Sequence, residues 1–223
     1  STYISTFILL ASKASHTAKL FSSVEKGLSS WKRIKPYIKP YQKYQNAVVL
    51  KGEELDIQNF SLNVDGKNLI KDFNLKAKKG EIIALTGAIA SGKSAFGKVF
   101  LKEIPYEGKI YLFGKELSSF TLGEIKGNVV YMGHESQLLT KTIKENIAYG
   151  DDDVLPYLEM VSFSHDLESM PDKEETLVGN EGVKLSGGQQ ERIALARTFY
   201  HKKGLMILDD PFASVDMKTE HQI

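Results

Sequence analysis

Along the first part of the chain, Phe7, Leu10, Ala14, Thr17, Phe21, Val24, Leu28 and Trp31 recur every three or four residues. That is the stripe of a long amphipathic helix. Pro36 and Pro40 are expected to end it. The apolar run from Ile4 to Ala11 falls well short of the roughly 18 residues a membrane span needs, and it lacks the basic leader and cleavage site of a signal peptide. From Leu55 the period changes. Leu55, Ile57, Phe60, Leu62 and Val64 predict a strand with one irregularity, Asp65-Gly66 a hairpin turn, and Leu69, Phe73, Leu75 and Ala77 the return strand. After the Lys79-Gly80 turn, Ile82, Ile83, Ala84 and Leu85 form an apolar run too short for a helix, which predicts a buried strand.

Composition adds limits. A chain of 223 residues with 42% hydrophobic and 26% charged positions holds one full domain plus an extension, and is neither disordered nor low in complexity. The absence of cysteine excludes disulfides, thiolate metal sites and a cysteine nucleophile. A net charge of +1 gives no field that argues for nucleic acid as a partner. The balance is uneven, however. Residues 1–45 hold eight Lys and Arg against the single acid Glu25, whereas residues 46–223 hold 21 basic and 27 acidic residues. The chain therefore reads as two parts, 1–45 and 46–223. Two readings of the first stand side by side: an extra helix packing on a partner, or the cytoplasmic tail of a last membrane helix whose basic residues obey the positive-inside bias.

The candidate chemistry begins directly after the expected strand. Gly87, Ala88, Ile89, Ala90, Ser91, Gly92, Lys93 and Ser94 fit G-x-x-x-x-G-K-[ST], and the apolar helical stretch Ala95 to Leu101 follows. Small residues let the backbone wrap a phosphate chain, amide N–H groups attract its charge, and Lys93 can reach the β and γ phosphates. Ser94 would offer its hydroxyl to Mg²⁺. The expected ligand is a nucleoside triphosphate. A carboxylate should share the metal, and Leu205-Met206-Ile207-Leu208-Asp209 supplies one at the end of an apolar run, making Asp209 the Walker B candidate.

Between these two elements stands Leu185-Ser186-Gly187-Gly188-Gln189, followed by Gln190-Glu191-Arg192-Ile193-Ala194-Leu195-Ala196-Arg197. Ser186 can cap the helix that follows. Here the chain resembles the ATP-binding cassette (ABC) family, whose LSGGQ signature occupies this place. The resemblance implies an α/β P-loop NTPase fold: a RecA-like core with a mostly parallel sheet, an antiparallel β-subdomain, and an α-helical subdomain from about Glu135 to Leu185, all preceded by the long N-terminal helix. It implies ATP and Mg²⁺ as ligands, with Ser186, Gly188 and Gln189 closing over a triphosphate held by the P-loop of a second cassette. Thr140 to Gly150 and Thr176 to Gly182 look like segments of the exporter branch, the latter like a loop that contacts membrane domains, and Ala213-Ser214-Val215-Asp216 matches the D-loop. The branch implies a transmembrane domain as partner and the cytoplasmic face of a membrane as location. It also favours reading residues 1–45 as the end of a last membrane helix plus linker.

Four positions depart from the family pattern. The catalytic Glu expected after Asp209 is Asp210, the Q-loop Gln falls at His134 unless a shifted loop puts Gln137 there, the adenine-stacking aromatic falls at Val64, and the central P-loop Gly is Ala90. All lie on the half that grips its own nucleotide, and the signature half is intact. Asp210, Lys93 and His134 are thus the catalytic candidates, with Asp210 one methylene short of a good general base, an effect worth about 10² to 10⁴ in rate. The resemblance implies ATP hydrolysis driving export, with a weakened site here and a signature that serves a partner, a heterodimer being favoured over a homodimer. The alternatives are a nucleotide-gated dimerisation module with little hydrolysis, or a soluble cassette ATPase outside transport. His221 comes too early to match the family's switch histidine, so the cassette is expected to be cut before it.

Overall fold

The computed structural model describes residues 2–35, 46–150, 152–179 and 182–223. The chain divides into two compact units, 1–45 and 46–223. In the first, helix α1 runs Thr2–Ile34, with Lys32 and Arg33 in its last turn. It ends two residues before Pro36, as expected where a following proline disfavours the helical region; Pro36 and Pro40 themselves lie outside the described residues. Phe7, Val24, Leu28 and Trp31 of the predicted stripe are exposed. Among the described residues no helix is long and apolar enough to cross a membrane.

The second unit opens with the predicted hairpin, β1 (Glu54–Val64) and β2 (Lys67–Lys78), paired antiparallel from Val64↔Lys67 to Glu54↔Lys78. Asp65 and Gly66 both take positive φ, 51° and 76°, which a two-residue turn matching the strand twist requires. The ladder shifts register between Ile57 and Asn63, where Asn59 turns left-handed. Helix α2 (Lys93–Val99) follows, then β3 (Glu107–Leu112) and the short β4 (Lys115–Glu116), giving a four-stranded sheet of order β2-β1-β3-β4. Its inward face buries Ile57, Phe60, Leu62, Ile110 and Leu112 against Val99 and Phe100, each such side chain contributing roughly 1.5–3 kcal/mol.

Helix α3 (Leu122–Asn128) leads into β5 (Val129–Met132), and β5 pairs in parallel with β6 (Leu205–Leu208). Between them lies the helical subdomain, α4 (Ile143–Ala148), α5 (Leu155–Met160), α6 (Ser164–Glu168) and α7 (Gly187–Tyr200), closed around buried Ile147, Leu158, Phe163 and Ile193. Helix α8 (Met217–Glu220), capped by Asp216, follows β6.

One expectation is corrected here. Residues Ile82 to Leu85 form no strand; they are exposed, Ile82 at 99% of its surface. The parallel sheet of the described residues consists of β5 and β6 alone. An apolar run becomes a buried parallel strand only when neighbours cover its faces and edges, and no described strand pairs with this one.

Helix α3 carries a reciprocal cap. The Thr121 hydroxyl accepts from Glu124 N, and the Glu124 carboxylate accepts from Thr121 N. The Lys115 ammonium, donating at 2.6 Å, and then the Thr121 N–H hold the Glu124 pKa down at about 2. A depressed carboxylate contributes stability that is complete above its unfolded value near 4.5 and is lost as pH falls toward 2. Urea unfolding at pH 5.5 and pH 3 should therefore show a smaller acid loss in Glu124→Gln than in the parent; an identical loss would rule this contribution out.

Candidate functional site

The P-loop turns through two left-handed residues, Ala90 (φ 61°) and Gly92 (φ 96°). Glycine is required at 92: a methyl group there would lie 2.9 Å from Leu69 Cβ of β2. Alanine at 90 holds the same sense of twist with a side chain, at a cost of about 1–2 kcal/mol. Lys93 Nζ donates to the carbonyls of Gly87 and Ala88, both at 2.9 Å, so its ammonium lies across its own loop. Ile89, at the loop's crest, is 99% exposed.

Three elements converge beside Lys93. From α2, the Ser94 hydroxyl donates to Asp209 Oδ1 at 2.9 Å; from β5, the Tyr131 hydroxyl donates to Oδ2 of the same carboxylate at 2.9 Å. Asp209 follows β6, and its N–H donates to Met132 O, carrying the β5–β6 ladder one step further. Burial first, and then Asp209, push the Tyr131 pKa well up, so this hydroxyl stays a donor. Ser94 and Asp209 thus present an all-oxygen donor set of the kind Mg²⁺ selects. Among the described residues no cluster of three His, Cys, Asp or Glu exists that would hold a metal unaided, and a nucleotide's own phosphate oxygens would complete the set.

Asp210 is left-handed (φ 54°), a conformation short polar residues tolerate. Its Oδ2 lies 3.7 Å from His134 Nδ1, both side chains being largely exposed. Of the two Q-loop candidates, His134 is the one that contacts Asp210. The Gln137 carbonyl instead accepts from Arg197 of α7 at 3.1 Å. Buried Asn146 ties the same loop down, accepting from Leu139 N and from Arg197, and donating to the carbonyls of Leu139 and Thr142. Val64 is half-buried at the end of β1.

The signature begins α7 as predicted. The Ser186 hydroxyl accepts from Gln189 N, and Gln189 Oε1 accepts from Ser186 N. The remaining amide of Gln189 donates to Asp166 Oδ1 of α6 at 2.8 Å, and Arg192 donates to the other Asp166 oxygen at 2.8 Å. Gln189 is thus occupied within the helical subdomain, while Ser186 and Gly187 are exposed at this tip. Gly188 meets the D-loop so closely that a methyl group there would sit 2.7 Å from Ser214 O. Buried Glu191 accepts from Ser214 N at 2.7 Å. Among the described residues no hydrogen bond or ion pair joins Ser186, Gly188 or Gln189 to the P-loop.

Tyr131, Asp166, Glu191 and Asn146 were not singled out from the sequence.

The sequence model of the family described as "ABC transporter" matches residues 70–213, well over half of the chain. The chain belongs to the ABC transporter family. This ABC chain is 32% identical over 222 residues to the multidrug resistance-like ATP-binding protein MdlA of Buchnera aphidicola subsp. Baizongia pistaciae, covering 92% of itself and 38% of that protein. It is 27% identical to the ATP-dependent lipid A-core flippase of Ralstonia nicotianae, covering 99% of itself and 40% of that relative. The solved structure of a bacterial Atm1-family ABC exporter with ATP bound superposes with a TM-score of 0.77 at 22% identity, over 91% of this chain and 38% of that one, which establishes the shared cassette fold. The ABC chain thus spans about two fifths of the length of these relatives.

Proposed function

We propose that this chain is the nucleotide-binding cassette of an exporter, in which ATP and Mg²⁺ bind at its P-loop, hydrolysis at its own site is weak, and its intact signature completes the site of a second, different cassette. The observation that carries the reading is the contrast between the two half-sites. Behind Ser186 and Gly188, Asp166 holds Gln189 and Arg192 of α7, and Glu191 holds Ser214, which lies against Gly188, while the proposed water-activating position holds the short Asp210, leaning toward His134. Lys93 must leave the carbonyls of Gly87 and Ala88 to reach a phosphate, an exchange of two neutral acceptors for a charged one. Ser94 and Asp209 would hold Mg²⁺, which neutralises charge on the phosphate oxygens.

Residues 1–45 we read as the end of a last membrane helix and its linker, residues 46–223 as the cassette at the cytoplasmic face. The names of relatives, a multidrug resistance-like protein and a lipid flippase, support export and leave the cargo open. A second reading, a clamp that dimerises on ATP and barely hydrolyses it, is favoured by Asp210 and His134. Single-turnover hydrolysis measured alongside ATP-dependent association separates the two. A motor should convert bound ATP within each association cycle and lose both behaviours in Lys93→Ala, whereas association without conversion at either composite site would establish the clamp.

A further inference from the structure

The carboxylate read above as the magnesium ligand is held at both ends, and only one of its partners belongs to the P-loop. Tyr131 pairs with Ile207 across the parallel ladder, and Asp209 stands two residues beyond Ile207. Alternation along a strand puts Ile207 and Asp209 on one face, and parallel neighbours share that face, so the Tyr131 ring lies beside the segment it serves. Helix α2, which begins with Lys93 and Ser94, packs on the same face. It does so at Gly97, where a methyl group would lie 3.0 Å from Tyr131 Cε2 and 3.2 Å from Ile207 Cγ2. A glycine on α2 and a tyrosine on β5 thus set the spacing between the two elements that carry Ser94 and Asp209.

We infer that Tyr131 is a positioning residue for magnesium: its hydroxyl, by occupying Asp209 Oδ2, fixes the rotation of the carboxylate so that Oδ1 faces Ser94. The terminal torsion of an aspartate is soft and roughly two-fold, so a carboxylate with one anchor turns, and a carboxylate with two does not. Donors that orient a metal-binding group in this way typically govern metal affinity by 10- to 100-fold. The inference rests on the reading of Asp209 as the magnesium-holding carboxylate, and the test separates them.

In the full-length transporter, ATP binding to this chain is followed by photolabelling with an azido-ATP, once in Mg²⁺ and once in EDTA. Tyr131→Phe keeps the ring and removes the hydroxyl. It should leave binding in EDTA unchanged and weaken binding in Mg²⁺ about tenfold, toward the value of Asp209→Asn. A parental Mg²⁺ affinity in Tyr131→Phe, with Asp209→Asn weakened, overturns the role of Tyr131 alone. Equal weakening of Tyr131→Phe in Mg²⁺ and in EDTA also overturns it, since that is what a packing defect produces. Parental affinity in Asp209→Asn overturns the magnesium reading itself.

Discussion

In the assembled transporter, Ser186→Ala and Gly188→Asp should each lower steady-state ATP turnover by about 10²-fold or more, while Asp210→Asn should leave it within about twofold. The asymmetry follows from which half-site each residue builds. Ser186 offers its hydroxyl at the tip of α7, and its loss also removes the acceptor for Gln189 N, a cap worth about 1 kcal/mol. At Gly188 any side chain meets Ser214 O, already 2.7 Å from where a methyl group would stand. An aspartate there disturbs the segment at Ser214 and, on the proposed reading, brings negative charge to a place that receives phosphate. On the proposed reading, Asp210→Asn removes only a base that is already short. Photolabelling of this chain with ATP provides the control: the two signature variants should keep it, because no described contact links them to Lys93 or Ser94. Equal losses of turnover in all three variants would mean two equivalent sites and end the proposal of a weakened cassette.

How far the sequence alone reaches is seen by comparing particular residues. The Asp65-Gly66 turn, the P-loop, the Ser186 cap and the end of α1 near Pro36 were all legible, because each is decided by a few neighbouring residues with fixed backbone demands. The Tyr131 hydrogen bond joins positions 78 residues apart, and the Arg192–Asp166 contact positions 26 apart. Neither partner is unusual by itself, so nothing local marks them. Ile82 to Leu85 is the opposite case. Its composition asks for burial, but burial is conferred by strands that lie alongside, and the described residues provide none. The signature glutamine was legible as a signature residue; the direction of its amide, toward Asp166, depends on where α6 lies, which short-range pattern does not determine.

Repairing the site proposed to be weakened provides the second large effect. Asp210→Glu restores the missing methylene, but the carboxylate of residue 210 has His134 as its neighbour at 3.7 Å, and a longer side chain can still be drawn to the imidazole instead of to an attacking water. His134→Gln removes that competitor and supplies an amide that can donate to and accept from water, yet alone it leaves the base short. Residues in contact couple, so the pair should gain more than the sum of the single effects. With the partner's site inactivated, single-turnover hydrolysis at this cassette should rise only a few-fold in either single variant and about 10²-fold in the double variant, the low end of what a well-placed general base supplies. The left-handed backbone at 210 suits aspartate better than glutamate, so the double variant should unfold at a slightly lower urea concentration while hydrolysing faster. A gain in rate bought at a cost in stability is the expected mark of a functional residue restored. If the double variant hydrolyses no faster than the parent, Asp210 and His134 are not what limits this site, and the four departures in its P-loop half need another cause.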